Sequence, residues 1–171
     1  MASLVENILR QKLNEIGMPS LRMPVNIELS DGELNALKQI TWENVSVSNG
    51  GDDGQSIIHL NIRIPNVIQT DVSKGIIVDI QLIKDTLYQV HINLCRGLQR
   101  LGLAPKIYKA IIMEYGHLYS GIGRRQNPAV SHIWDILRAD GDVNCYDNEL
   151  GTLCISKDNP KAEELLNLFN R

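Results

Sequence analysis

The side chains best placed to do chemistry gather in one stretch, Leu87–Tyr115, which reads LYQVHINLCRGLQRLGLAPKIYKAIIMEY. Val90, Ile92 and Leu94 alternate as a strand does. Glycines follow at 97 and 102, and helical spacing begins at once with Ile107, Ile111 and Ile112. A helix start presents unpaired N–H groups and a partial positive charge, so it attracts anions. Gly102 lets the backbone approach a phosphate closely, and Ala104 keeps the next side chain small. Arg96, Arg100, Lys106 and Lys109 add positive charge nearby. Residues 86–134 hold six basic side chains and one acid, Glu114, in a chain whose net charge is −3. That pattern fits the pyrophosphate of a nucleotide-like cofactor. The bland alternative is a solvated charged face.

The loop has neither the G-x-x-x-x-G-K-[ST] of a P-loop nor the G-x-G-x-x-G of a dinucleotide site. Gln99-Arg100-Leu101-Gly102-Leu103-Ala104 instead resembles the Q/R-x-x-G-x-G/A signature of the GNAT acyltransferases. A second likeness lies downstream. Asn127, Ala129, Ile133 and Trp134 resemble the family's asparagine, alanine and apolar–tyrosine pattern. The alanine falls one place early, and tryptophan stands where tyrosine is usual. The resemblance covers residues 75–139, and the helix with Trp134 is similar to that of small acetyltransferase-like proteins encoded by tailed phages.

The resemblance implies an acyl-CoA-dependent N-acyltransferase with acetyl-CoA as cofactor. The acceptor would be an amine-bearing small molecule or protein that attacks the thioester directly. Leu94, Gln99, Arg100, Leu101, Gly102, Leu103 and Ala104 would hold the cofactor between the fourth strand and the next helix. Asn127 would touch its pantetheine arm or merely cap a helix. His91, on the fourth strand, is the candidate general base, since its ordinary pKa suits neutral pH. A lone strand histidine is more often structural, and His117 and His132 compete with it. Trp134 cannot act as an acid, so Tyr119 or Tyr146 would have to replace the family's tyrosine. Trp134 itself falls on an apolar helical stripe and reads as core. Pro105 removes one N–H just after the loop. Two other functions stay open: a catalytically silent GNAT-like module that binds a protein, such as a phage factor acting on a host component, and a nucleic-acid binder. The acidic remainder of the chain and its one phenylalanine argue against the last.

These residues need a scaffold. The 171 residues are 43% hydrophobic and 22% charged, which suits one domain over 1–171. Cys95, Cys145 and Cys154 are odd in number and lack metal-ligand spacing, so no disulfide framework is expected and a reducing compartment follows. The absence of a signal-peptide pattern or a long apolar run points to a cytoplasmic protein off the membrane. A helix is expected over residues 3–16, ending at Gly17, then an extended piece at 25–29. Ser30 and Glu33 form a capping box for a helix reaching Ile40. Strands are expected at 41–48, 56–64, 75–83 and 87–94, with turns at 49–54 and 84–86. Helix 104–115, strand 117–121, helix 128–138, a hairpin of 143–146 with 152–155, and a helix from Asn159 complete the chain. The order predicts an α/β protein: a mixed central sheet with helices on both faces, as in the GNAT fold.

Overall fold

The computed structural model describes residues 23–49, 58–64, 71–83, 86–121 and 128–171. The expected helix at 3–16 and the turn at 49–54, save Asn49, lie outside these residues. Four helices are described: α1 (Asp31–Gln39), α2 (Leu103–Tyr115), α3 (Pro128–Arg138) and α4 (Ala162–Phe169). Seven strands accompany them: β1 (Val45–Asn49), β2 (Ile58–Ile62), β3 (Ile76–Ile83), β4 (Leu87–Leu94), β5 (His117–Tyr119), β6 (Val143–Asn148) and β7 (Gly151–Ser156).

Local chemistry fixes the element ends. Ser30 accepts from the Glu33 N–H at 3.3 Å, and the Glu33 carboxylate accepts from the Ser30 N–H at 2.8 Å. This is the expected capping box, and it opens α1. Thr41–Asn44, expected as strand, differs: Trp42–Asn44 forms a 3-10 turn. The Asn44 side chain accepts the Thr41 N–H at 2.9 Å, a local bond that competes with a ladder. Gly116, left-handed at φ 88°, stops α2.

The expectation of one mixed sheet needs correction. The strands form three open antiparallel sheets, β1-β2, β3-β4 and β5-β7-β6, with no parallel ladder among the described residues. In β3, Ile76, Val78 and Ile80 are buried, while Ile77, Asp79 and Gln81 point the other way. The three-stranded sheet does have helices on both faces. Cys154 of β7 packs into the cluster of Ile107, Ile111, Trp134 and Leu137, from α2 and α3. Leu153 and Ile155 pack on the opposite face against Leu165 and Phe169 of α4. All six β7 residues are buried, as expected of a strand covered twice.

The cysteine expectation is also overturned. Cys145 and Cys154 face each other in the β6–β7 register with Cα atoms 4.1 Å apart, and they are joined as a disulfide. Counting cysteines cannot reveal a cross-strand neighbour, whereas a tight hairpin creates one. Cys95 is free and buried. No described helix is long and apolar enough to cross a membrane.

Candidate functional site

The backbone of β4 sets the geometry. The Cys95 N–H bonds the Gly75 carbonyl at 2.8 Å, in line with the β3–β4 register. Odd-numbered residues of β4 therefore bond β3, because antiparallel partners alternate. Tyr88, Val90, Ile92 and Leu94 turn their N–H and C=O groups the other way. On β5, Gly116 and Ser120 bond β7, so His117 and Tyr119 turn theirs toward β4. α2 carries the chain back, and β5 begins beside the start of β4, running in the same direction. The two strands lie against each other, yet no ladder joins them. This seam, edged with backbone donors and acceptors, is a gap in the ladder rather than in the packing. Gly121 lies close to it: a Cβ there would meet the Gln89 side-chain nitrogen at 2.6 Å.

The loop after β4 leads to the start of α2. Leu98 is fully buried and plugs the 3-10 turn Arg96–Leu98 into the core. Gln99 folds back, its amide donating to the Leu94 carbonyl at 3.1 Å. Arg100 is left-handed at φ 64° and Gly102 at φ 71°. Such turns make successive N–H groups converge. No side chain caps α2 at Gly102, and its first turn holds no acid. Beyond its own two neighbours, no described residue has an atom within 4 Å of where a Gly102 Cβ would stand. Open space, uncapped N–H groups and a helix dipole thus coincide, which suits an anion. Leu103 is buried beneath, Ala104 is partly buried, and Leu101 packs against the core.

Two of the four expected cations are engaged elsewhere. Lys106 donates to the Lys38 carbonyl at 3.2 Å, and burial lowers its pKa. Lys109 is buried, 2.8 Å from Asp140 and 2.7 Å from Asp142, with the Trp42 ring 5.0 Å away. Burial alone would lower its pKa, but the two carboxylates outweigh it and raise it. Arg96 and Arg100 stay exposed beside the loop.

The candidate catalytic groups separate. His91 is exposed on β4, directly opposite Asp79 of β3, and the Asp79 side chain forms no ion pair or hydrogen bond among the described residues. Gln81 and Gln89 are the next pair on that face, so the outer side of the hairpin is polar beside the gap. Tyr119 turns away: its hydroxyl donates to the Leu150 carbonyl at 3.1 Å, its ring packs 5.9 Å from Phe169, and burial raises its pKa. Tyr146 lies on β6, with β7 and β5 between it and the gap. Asn127 lies outside the described residues. Trp134 is 2% exposed, meets Tyr108 edge-on at 5.7 Å, and its ring nitrogen has no hydrogen-bond partner among the described residues. It is core.

Asp79 and Gln89 escaped the sequence reading. Pairing residues 83 and 87 across the expected turn at 84–86 would have placed Asp79 opposite His91. The chain matches no known family model, no curated protein and no solved structure.

Proposed function

We propose that the chain is an acyl-CoA-dependent N-acyltransferase of the GNAT kind, acting on an amine of a small molecule or protein. One observation carries this reading. The unladdered edge of β4 leads, at Leu94, into the loop with the left-handed Arg100 and Gly102 and the uncapped start of α2. A thioester with a long amide-bearing arm and a pyrophosphate needs both parts side by side.

The residues divide the work as follows. The N–H groups of Leu103, Ala104 and Lys106 at the start of α2, with Arg100 beside them, meet the pyrophosphate; Pro105 contributes no N–H. The inward-turned N–H groups of Val90 and Ile92 meet the acyl carbonyl and stabilise charge growing on its oxygen. Acetyl-CoA supplies the thioester. On the open polar face the Asp79 carboxylate attracts the incoming ammonium and His91 takes its proton; the amine nitrogen then bonds the acyl carbon, the C–S bond breaks, and the coenzyme A thiolate leaves and takes a proton from solvent.

A second reading has support of its own. Trp134 is buried where the family places a reactive tyrosine, and the Tyr119 hydroxyl is occupied by Leu150. A module that binds acyl-CoA without turnover, and acts by binding a protein, fits those two facts. Thermal denaturation tests the shared premise. Acetyl-CoA at 100 times its Kd should stabilise the protein by about 2.7 kcal/mol. No rise in Tm with excess acetyl-CoA or free CoA would remove both readings, and binding without acyl transfer to any amine would select the second.

A further inference from the structure

β4 and β5 share no ladder, yet a side chain joins them near their starts. His117 is buried, and its Nε2 lies 3.2 Å from the Tyr88 backbone nitrogen and 3.1 Å from the Thr86 carbonyl oxygen. Tyr88 is one of the residues whose N–H turns toward β5. In a laddered pair that N–H would bond a carbonyl on a strand about 4.8 Å away. Here an imidazole takes the carbonyl's place, so the Tyr88 N–H is satisfied without a ladder bond. The Tyr88 ring covers the imidazole at 5.2 Å, and Tyr115 backs Tyr88 at 5.1 Å.

We propose that His117 is a positioning residue: its Nε2 accepts the Tyr88 N–H, holds β4 off β5, and so leaves the Val90 and Ile92 N–H groups unpaired for a bound acyl group. The last clause rests on the acyltransferase reading, whereas the pin itself does not. One nitrogen cannot accept from Tyr88 and donate to Thr86 at once. With the proton on Nδ1, Nε2 accepts and the Tyr88 N–H is satisfied. With the proton on Nε2, the bond turns to Thr86 and a half-buried N–H loses its partner, which is the costlier arrangement. A leucine of similar bulk would leave the same N–H unpaired. A glutamine could offer its side-chain oxygen in place of the ring nitrogen.

Long-range proton–nitrogen NMR of the full chain at pH 7.5 reads the tautomer directly, and the expected form carries its proton on Nδ1. In His117→Leu, amide exchange at Tyr88 should quicken about tenfold, the loss of one hydrogen bond. Acetyl-CoA should bind several-fold more weakly to the same variant. His117→Gln should restore both the Tyr88 protection and the affinity. A proton on Nε2, unchanged Tyr88 exchange in His117→Leu, or no rescue by His117→Gln would overturn the pin. If His117→Leu does not fold, the tautomer and the Tyr88 protection in His117→Gln decide the matter. Altered Tyr88 exchange with unaltered acetyl-CoA affinity would overturn the positioning role alone. A parent protein that binds no acetyl-CoA would refute the acyltransferase reading, and the tautomer and exchange would still judge the pin.

Discussion

The ammonium of Lys106 donates to the backbone carbonyl of Lys38 at 3.2 Å, so a residue in the first turn of α2 closes the last turn of α1. A cation at a helix C-terminus satisfies an orphan carbonyl and favours the dipole. Lys106 therefore serves the scaffold more than the anion site. Lys106→Ala should lower stability by about 0.3–1 kcal/mol and change acetyl-CoA affinity less than about twofold. Urea unfolding and calorimetric titration of the one variant measure both. A large affinity loss with unchanged stability would reverse the assignment.

Trp134 supports packing. It is almost fully buried where α3 packs on Tyr108 of α2, and its ring nitrogen has no partner among the described residues. Trp134→Ala should cost about 3–5 kcal/mol, the range for emptying a large aromatic site. Trp134→Phe keeps an aromatic ring and removes an unpaired N–H, so it should be far milder. Urea midpoints compare the two. A Trp134→Ala protein as stable as the parent but poor in ligand binding would move Trp134 from the core into the site.

His117 makes stability depend on pH. Burial lowers its pKa below 6.5, and the Thr86 carbonyl, which the protonated ring can reach as a donor, offsets this only in part. The unfolded chain then binds more protons than the folded one between the folded pKa and about 6.5, so stability rises with pH there. The contribution is complete above about 6.5 and is lost as pH falls through the folded value. Asp142, held low by Lys109, contributes only at more acidic pH, from its ordinary value of 3.8 downward. The urea midpoint should therefore fall between pH 7.5 and pH 5, and His117→Gln should flatten that fall. An equal fall in His117→Gln would place the titrating group elsewhere.

Much of the fold was legible where one local rule decided the outcome. The alternation of Val90, Ile92 and Leu94 gave β4 its bounds, and the Ser30–Glu33 capping box located α1. Pro128 and the stripe of Ile133, Trp134 and Leu137 gave α3. Properties that depend on two distant segments were hidden. Local periodicity says nothing of whether β4 and β5 share a ladder, or that Cys145 stands opposite Cys154. The same holds for the site. Gly102 was legible as a place where the backbone can approach an anion closely, whereas its left-handed φ and the diversion of Lys106 to Lys38 and of Tyr119 to Leu150 required the tertiary fold. Lys109 looked like a cofactor cation because Asp140 and Asp142 are distant in sequence.

The central claim is that the turn at Gly102 and the start of α2 receive a pyrophosphate. Gly102 is left-handed, and the space beside it is open. Gly102→Glu adds bulk and negative charge where the ligand is most negative. The positive φ costs a side chain roughly 1 kcal/mol, which the fold should survive. Arg100→Ala should do less, because an exposed cation gives a modest, salt-screened attraction. Calorimetric titration with acetyl-CoA, on samples shown folded by circular dichroism, should find Gly102→Glu weakened by about tenfold or more. If Gly102→Glu binds acetyl-CoA as tightly as the parent, the loop is not the pyrophosphate site and the acyltransferase account fails.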